Sequence, residues 1–598
     1  MSSSIIFKET ADDFLKVCHQ FKLGSLVTES PNPLTVTLSD CCASEDLITT
    51  KGLPTLKKVD LAAFGNLIPD HLTRGTQEDQ EVDPIPRGQE LKGLYREATE
   101  ETFDQLCSRI QTMSAQIHKA LTEGRNVIFV GCGATGRLSL SLEVFAHLGV
   151  VDKEHAHQVL GIHTGGDSAL LRSIPEFEDK IEYGIRQLYD TGFRDGDLVI
   201  AITEGGETPF VIAVCEEAAR VSTDVKPWFL YCNPDHILVD LVERSKRVID
   251  NPKIDKLNLY VGPMAITGST RMQATTVQQL IAGLALAHHA DPTLIKSDLI
   301  EFATFMRGLD YGLMGKITYA EAQLYKNGEY FLYEPEDSLA CTVMTDSTER
   351  SPTFSLPVFE NFDHPEQVPS TVYLHLRGSP TTSKAWLRLM RRPIRGLNWD
   401  GTQLLTGNKT VLGYDFSDEI IKKRAKHVGD PNKTNHRVRF ELREDSSFGP
   451  LLQNCLNITV GLDENPELFA SVKIPFPTKW RLEPVTNKDG VERYVETLSK
   501  GALVKVNIFV KMLLNAHSTA IMGYLKRYEQ NVMTYVAPSN YKLIDRAVRY
   551  VILLLTGALK AGTPMPDYEQ IVRKIYEIRN SVKPGHSIVL LVRDHFLN

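Results

Sequence analysis

The sequence lacks any apolar run long enough to cross a bilayer. Even the strongly apolar run at residues 550–555 (YVILLL) falls far short of the roughly 18 residues that a membrane-spanning helix requires. The first residues, MSSSIIFKET, lack the basic-then-apolar plan of a secretory signal. We therefore expect no membrane association and a cytoplasmic location, with the nucleus as the alternative compartment.

Redox and metal motifs are also missing, and so is an excess of basic charge. The nine cysteines form no C-x-x-C pair, which favours reduced thiols in a reducing compartment. The adjacent cysteine and histidine pairs have no matching partner clusters, so we expect no metal and no other cofactor. A formal net charge of −9 argues against a basic surface for nucleic acid.

A glycine-rich junction is the most informative feature that is present. Residues 126–136 (NVIFVGCGATG) run from a short apolar strand into glycines, and then into a helix that we expect to begin near Arg137. Glycine lets the backbone approach a ligand closely, and the first N–H groups of a helix lack intrahelical partners and lie at its positive end. The junction predicts an anion site, for which the candidate contacts are Gly133, Ala134, Thr135, Gly136 and Arg137.

The same spacing fits G-x-G-x-x-G, the dinucleotide fingerprint. That fingerprint requires an acidic residue about 20 residues further on, at the end of the next strand. The next strand-like run, residues 158–162, leads into HTGGDS, whose first acid is Asp167. A phosphate site is therefore preferred to an NAD(P) site, and a structural turn without a ligand is the third interpretation.

Two further segments repeat the strand–loop–helix pattern. Residues 198–203 (LVIAIT) open onto EGGETP, and residues 261–271 (VGPMAITGSTR) precede a long helical run. Ligands of open α/β sheets collect outside the carboxyl ends of the strands, so these loops are expected to share one pocket. They add as candidate contacts Thr203, Gly205, Gly206, Glu207, Thr208 and Ser269. Glu204 and Glu207 are unusual neighbours for an anion and are equally typical of a helix N-terminus.

These segments resemble a known family. The motifs GCGATGRL, HTGGDSALLRSIPEFED, ITEGGETPFVI, CNP and TGSTRM occur here in the order found in the sugar isomerase (SIS) domain of N-acetylmuramic acid 6-phosphate etherases and glucokinase regulatory proteins. LVTESPNPLT, residues 26–35, is similar to their N-terminal signature. The resemblance implies a hexose phosphate ligand, similar to fructose 6-phosphate. It also implies contacts from Gly165, Gly166 and Glu178, with Glu176 as the alternative register for that glutamate.

The length of 598 residues implies more than one SIS unit. Strand patterns predict a second sheet from residues 328–332, 371–376, 438–442 and 455–460. Residues 495–506 and 537–551 resemble the helical segments that close an SIS unit. We therefore predict an α/β protein with two tandem SIS domains, each a doubly wound, flavodoxin-like parallel sheet, and a helical C-terminal cap. By resemblance the chain is a monomer that acts as an internal pseudo-dimer.

The predicted domain boundaries follow from these patterns. They are 1–50 for an N-terminal capping segment, 51–305 for the first SIS domain with the sugar-phosphate site, 306–480 for a degenerate second SIS domain and 481–598 for the helical cap. Helices around residues 491–500 are expected to close the pocket. A basic residue of the family corresponds to Gln279 here and its second-half counterpart to Glu492, so Arg493 and Lys500 are the nearest basic replacements.

Catalysis in the etherases needs two groups that transfer protons. The resemblance places one at Glu178 and the other at Phe145, which cannot transfer a proton; Glu143, two residues away, projects from another face of a helix. We therefore favour a non-catalytic regulator that senses a hexose phosphate and modulates a partner, by resemblance a hexokinase-type sugar kinase. A sugar-phosphate isomerase with Glu178 as base, or a divergent etherase, is the alternative. A pseudo-enzyme that binds nothing is the third hypothesis.

Overall fold

The structure is a computed structural model, and it describes most of the chain. It describes residues 10–21, 23–74, 93–171, 177–356, 359, 370–397, 399, 414–420, 436–462, 465–480, 482–486, 493–497, 500–538, 540–556, 558–560, 562–583 and 585–598. For residues 21, 462, 465–469, 482–486 and 493–497 it describes the backbone alone.

The first half is built on a five-stranded parallel sheet. Its strands are β1 (Val127–Gly131), β2 (Val159–His163), β3 (Leu198–Ile202), β4 (Trp228–Tyr231) and β5 (Asp255–Asn258). They lie in the order β2-β1-β3-β4-β5 with every pair parallel, which is the flavodoxin-like order. The predicted doubly wound sheet is confirmed for this half, and β2 ends at a histidine where a dinucleotide site requires an acid.

Helices cover both faces of this sheet. The helices of the first half are α1 (Ala11–Val17), α2 (Glu45–Leu47), α3 (Leu53–Gly65), α4 (Asp70–Thr73), α5 (Glu100–Thr122), α6 (Ala134–Phe145), α7 (Ile181–Asp190), α8 (Pro209–Val221), α9 (Asp235–Leu241), α10 (Glu243–Asp250), α11 (Gln273–Ala287) and α12 (Leu294–Gly308). Successive side chains of β1 point to opposite faces: Val127 and Phe129 join the main core, whereas Ile128 and Val130 join a second core under α8. Burial on both faces explains why the strands are continuous apolar runs.

The second half contains another five-stranded sheet. Its strands are β6 (Phe331–Pro335), β7 (Val372–Leu374), β8 (His436–Glu444), β9 (Asn454–Leu462) and β10 (Asn465–Phe476), in the order β10-β9-β8-β6-β7. β6 pairs in parallel with β7 and β8, whereas β8, β9 and β10 pair antiparallel. The predicted parallel sheet thus holds for three strands. The chain returns from β8 to β9 through a short turn at Gly449, and a parallel return needs a longer crossover.

The C-terminal region begins with a hairpin and continues in helices. The hairpin pairs β11 (Leu482–Thr486) with β12 (Arg493–Thr497). The remaining helices of the chain are α13 (Gly315–Lys326), α14 (Ala340–Phe354), α15 (Thr382–Met390), α16 (Lys500–Tyr524), α17 (Tyr541–Thr556), α18 (Tyr568–Ile578) and α19 (Ile588–Leu597). The prediction that residues 495–506 are helical is wrong for 495–497, which hydrogen-bond as an edge of the hairpin, and correct from Lys500 onward.

Helix α16 lies inside the molecule. Its side chains are buried from Gly501 to Gly523, and it packs against α11 of the first half and α13 and α14 of the second. A single hydrophobic core therefore runs through both halves, from Phe129 to Phe331 and Phe509. In the described part of the chain, none of the helices has both the length and the hydropathy of a bilayer span.

Candidate functional site

The turn between β1 and α6 explains the glycine pattern. A Cβ on Gly131 would lie 2.3 Å from the backbone carbonyl of Thr135, and one on Gly136 would lie 2.6 Å from the ring of His163. Gly133 precedes the helix with φ = 58°, a conformation that side chains disfavour. Gly133 is the residue before the first residue of α6, which is Ala134. The predicted start near Arg137 therefore lies three residues beyond the observed start.

A cavity of about 190 Å³ opens beside this turn, at the carboxyl end of the first sheet. The predicted site residues that line it are Gly133, Ala134, Arg137, Glu178, Thr208 and Ser269. The lining that was not predicted comes from the end of β2, from the loops after β1, β2, β3 and β5, from the end of α14 and from the start of α17: Cys132, His163, Thr164, Glu204, Arg271, Glu349, Thr353, Asn540, Lys542 and Arg546. Both halves of the chain therefore contribute to one cavity.

The other predicted site residues lie outside this lining. They are Thr135, Gly136, Gly165, Gly166, Thr203, Gly205, Gly206, Glu207 and Lys500. The Thr135 hydroxyl donates to the Cys132 carbonyl at 2.9 Å and accepts from the Cys132 N–H at 3.1 Å, so it holds the turn. The hydroxyls of Thr203 and Thr208 hydrogen-bond to each other at 3.1 Å.

The basic residues expected from the second half do not reach the site in the described part of the chain. Lys500 donates to Asp152 at 2.6 Å, away from the cavity. The side chain of Arg493, like Glu176, lies outside the described residues. Asn540, Lys542 and Arg546 supply the described wall from the C-terminal region instead.

Lys542 joins this wall to two glutamates of the first half. Its Nζ lies 3.0 Å from Glu178 and 2.8 Å from Glu207, and the Asn540 amide donates to Glu178 at 3.4 Å. Burial alone would lower the pKa of Lys542, but Glu178 and Glu207 raise it well above its usual value, so the ammonium is charged. Glu178 is thus held by the C-terminal region at the cavity wall.

The N-terminal motif LVTESPNPLT meets the same helix. Glu29 accepts from Arg546 at 2.5 and 3.1 Å and from Arg549 at 3.0 Å. Burial opposes its charge, but the two guanidinium groups hold the pKa of Glu29 at about 2. The N-terminal segment therefore anchors α17, which carries Lys542 and Arg546 into the cavity wall.

Two buried arginines face the cavity from the first half. Arg137 donates to the carbonyls of Gly133 at 3.0 Å and Leu170 at 2.9 Å, and to the Thr348 hydroxyl at 2.7 Å. Arg271 forms an ion pair with Asp346 at 3.1 Å. Arg137 is bound by neutral acceptors, so its positive charge is the less compensated of the two.

Glu349, near the end of α14, faces these cations. It is 2% exposed, and its Oε2 has no hydrogen-bond partner among the described residues. Burial raises the pKa of Glu349 to about 7, against the attraction of Lys511, Arg137 and Arg271. Lys511, on α16, donates to the Arg271 carbonyl at 2.6 Å, and burial lowers its pKa to about 8. The cavity thus contains a carboxyl group that is free to bind a hydroxyl.

A strap from the second half, residues 391–397 and 399, binds helix α6 and the loop after β2 in the first half. Arg392 donates to Glu143 at 2.9 Å and to Asp167 at 2.6 Å, and Arg395 donates to Glu143 at 2.5 Å. The strap also explains Gly166, because a Cβ there would lie 3.0 Å from Leu397. Glu143 is therefore occupied by arginines and does not line the cavity.

The end of the strap packs beside the glutamate at the cavity wall. The Trp399 ring stacks on Phe177 with a centroid distance of 5.6 Å, and Arg186 lies 4.5 Å from the Trp399 ring centroid. Its indole N–H donates to Asp190 at 2.6 Å. Since Phe177 immediately precedes Glu178, the strap supports one wall of the site.

Sequence comparison agrees with this architecture. Residues 106–218 match the family model described as the glucokinase regulatory protein N-terminal SIS domain. Over these residues the chain is similar to that domain family. The SIS resemblance drawn from the motifs is thereby confirmed.

Curated relatives match over part of their length. The chain is 29% identical over 208 residues to the N-acetylmuramic acid 6-phosphate etherase of Aeromonas hydrophila, covering 34% of this chain and 64% of the relative. It is 32% identical over 167 residues to the enzyme of the same name from Yersinia pestis, covering 28% and 51%. The chain therefore spans about half to two thirds of the curated relatives it matches. A solved structure, the tagatose-6-phosphate ketose/aldose isomerase from Escherichia coli, aligns with a TM-score of 0.33 and 9% identity over 72% of this chain and 94% of that chain.

Sequence reasoning missed the cavity residues that come from distant segments. Glu349 lies on a helix with no glycine motif beside it, and no local pattern marks it as a ligand contact. Lys542 and Arg546 were within reach, because the segment 537–551 was recognised and carries both. Nothing in the sequence indicated that Lys542 pairs with Glu178 and Arg546 with Glu29, because the partners are more than 350 residues apart in the chain.

Proposed function

We propose that the chain binds a phosphorylated hexose in this cavity and acts as a sensor of that ligand. The observation that carries the proposal is the origin of the lining, which comes from the first-sheet loops, from α14 and from α17. A ligand there contacts both halves at once. A ligand can shift the equilibrium between two arrangements of the halves only if its contacts differ between those arrangements.

The charges suit a ligand with a phosphoryl group and several hydroxyls. Arg137 and the first N–H groups of α6 favour an anion, and they adjoin Gly133 and Ala134. Glu349 and Glu178 can accept hydrogen bonds from sugar hydroxyls. A ligand similar to fructose 6-phosphate carries both kinds of group.

The partner proposed for the sensor is a sugar kinase of the hexokinase type. The matched domain family supports this choice, since its model is that of a kinase regulatory protein. Linkage requires that a partner favoured by the ligand also tightens ligand binding by the same factor, commonly about 5- to 150-fold. Affinity capture from a native extract with and without hexose phosphates, followed by ligand titration with the recovered kinase, tests both directions.

Etherase activity is not proposed. Phe145 is fully buried, and neither it nor Glu143 lines the cavity. Losing one acid–base group commonly costs about 10²- to 10⁴-fold in rate. Incubation with N-acetylmuramic acid 6-phosphate should release no lactate above background, and steady release would contradict this assignment.

An isomerase is the second candidate, and Glu349 is the observation that favours it. A carboxyl group with a pKa of about 7 inside a cavity is suited to act as a general base near neutral pH. An isomerase would exchange a carbon-bound proton of a hexose 6-phosphate with solvent. Proton NMR in heavy water distinguishes the two proposals, because a sensor leaves that signal intact.

Ligand binding itself is tested by thermal unfolding against a panel of hexose phosphates. A ligand at 100 times its dissociation constant should stabilise the fold by about 2.7 kcal/mol. Glu349→Gln should reduce the response, whereas Asp337→Asn, at the corresponding end of the second sheet, should preserve it. If no sugar phosphate shifts the unfolding of the wild-type chain, the sensor proposal is wrong.

A further inference from the structure

Glu204 lies where the two glycine loops were expected to hold a phosphate. It directly follows Thr203 at the end of β3, it is 8% exposed, and it lines the cavity beside Gly133 and Ala134. Its Oε1 accepts from the Thr275 hydroxyl at 3.2 Å, and its Oε2 lies 3.5 Å from the Thr135 hydroxyl. A carboxylate of the protein thus lies beside the hydroxyl that was predicted to bind the ligand anion, while that hydroxyl donates its proton to the Cys132 carbonyl.

A carboxylate in this position changes which ligand the site prefers. Helix N-termini and hydroxyl donors stabilise one negative charge at a time, so the Glu204 carboxylate competes with a phosphoryl group for the end of α6. Two negative groups brought within about 4–6 Å raise each other's pKa. The repulsion between them is removed when one of the two takes up a proton.

We propose that Glu204 determines the phosphate specificity of the cavity: a phosphorylated sugar binds together with a proton that neutralises Glu204, whereas an unphosphorylated polyol binds without that proton. The role given to Glu204 rests on the proposed function, since it presupposes a sugar phosphate in the same cavity. If Glu204 has this role, the phosphorylated ligand binds more weakly as the pH rises.

The groups that face Glu204 leave its charge poorly compensated. They are Arg137 on α6, Lys542 on α17, and the thiols of Cys132 and Cys232 after β1 and β4. Lys542 is already paired with Glu178 and Glu207, and Arg137 donates to Gly133, Leu170 and Thr348. Burial raises the pKa of Glu204 above its usual value, in the direction that proton uptake requires.

The experiment is isothermal titration of the full chain with fructose 6-phosphate and, separately, with fructose, between pH 6.5 and 8. Buffers of different ionisation enthalpy give the number of protons taken up. For the wild type we expect close to one proton per fructose 6-phosphate at pH 8, and an affinity that falls up to tenfold per pH unit. Glu204→Gln should abolish most of that uptake and raise the affinity at pH 8 by tenfold or more, with fructose unaffected.

The controls separate this role from the phosphate's own titration. A phosphomonoester has a pKa near 6, so its contribution is shared by wild type and variant and cancels in their difference. Glu243→Gln, in the first turn of α10, is the matched control and should change nothing. Glu204→Ser provides a second variant if the Glu204→Gln protein does not fold.

The outcomes distinguish the two proposals. Equal affinity and equal proton uptake in the wild type and in the Glu204 variants would overturn the role of Glu204 and leave the sensor in place. Fructose 6-phosphate binding by the variant alone would support the role of Glu204 and overturn the wild-type sensor. If neither protein binds fructose 6-phosphate at any pH, both proposals are wrong.

Discussion

The carboxyl ends of the two sheets are built alike and filled differently. In the first sheet, the loops after β1, β2 and β3 surround a cavity with charged walls. In the second sheet, the loop after β6 carries Asp337, which accepts from Arg388 at 2.7 and 2.9 Å and from Arg391 at 3.1 Å. Glu334, at the end of β6, accepts from His375 at 2.8 Å, from Arg439 at 2.8 Å and from Arg437.

This difference shows what makes a strand end into a ligand site. Burial opposes the charge of Glu334, but His375 and Arg437 hold its pKa at about 2, so the charges of the second sheet compensate one another. At the carboxyl end of the first sheet, the Oε2 of Glu349, which α14 of the second half places there, has no hydrogen bond in the described part of the structure, and Arg137 is bound by neutral acceptors. Charged groups without a compensating partner, and not the fold alone, distinguish the carboxyl end of the first sheet from that of the second sheet.

The largest expected effect comes from removing the cation that joins α17 to the first-sheet site. Lys542→Met leaves the buried Glu207 and the half-buried Glu178 without their main partner, which should lower the free energy of unfolding by about 3–5 kcal/mol. Thermal unfolding measures the change. Lys16→Met, in an exposed pair with Asp13, is the control and should have no measurable effect. An unchanged melting temperature for Lys542→Met would mean that these ion pairs do not hold the wall.

The second test removes the uncompensated carboxyl of the first end. The pKa of Glu349 is raised from 4.5 to about 7 in the folded chain, so the folded state keeps its proton where the unfolded state has lost it. Its contribution to stability is therefore lost as the pH rises from about 4.5 to 7, and amounts to about 3 kcal/mol. Glu349→Gln should be more stable than wild type at pH 8 and equal to it at pH 4.5. Parallel stability curves for the two proteins across this range would refute the assignment.

The strap offers a third, smaller effect. Arg392→Met removes hydrogen bonds to Glu143 and Asp167, while Arg395 still reaches both residues. We expect a loss of about 1.5–3 kcal/mol, typical of hydrogen bonds to charged groups. Arg573→Met, a surface arginine, serves as the control in chemical denaturation. Equal midpoints for the two variants would show that the strap does not bind the halves together.

The smallest effect is expected at the second sheet. Asp337→Asn weakens ion pairs that are partly exposed on the Arg388 side, so a loss of about 0.5–1.5 kcal/mol is expected. Because this end has no share in the cavity lining, the affinity for hexose phosphates should stay the same. A loss of ligand affinity in Asp337→Asn, measured by calorimetry, would show that the two sheet ends do not differ in the way described.

Local patterns predicted the first sheet well. β1, β2 and β3 are apolar runs that end in glycine-containing loops, and each was placed within a residue or two. The antiparallel half of the second sheet was less accessible, because the direction of a strand is set by its connection and leaves no local signal, even in β8, whose residues alternate clearly. The hairpin before α16 was assigned to a helix for the same lack of local signal.

The site was only half predictable, and the reason is its long-range construction. Gly133, Ala134 and Arg137 follow one strand and could be recognised together. Lys542 and Glu349 reach the cavity because the two halves pack against the buried helix α16. The periodicity of a local sequence does not indicate which distant segment it packs against. Phe145 could be excluded from catalysis by its chemistry and Glu143 by its face of the helix, whereas the pairing of Glu143 with Arg392 and Arg395 became visible only in the structure.

Trp399 gives the molecule a built-in optical probe. The chain has four tryptophans, and this one alone stacks on the residue that precedes Glu178. Its indole emission depends on the nearby Arg186 charge and on the hydrogen bond to Asp190. Any ligand that moves the Glu178 wall must therefore change the emission of the unlabelled protein, and a Trp399→Phe variant identifies that part of the signal.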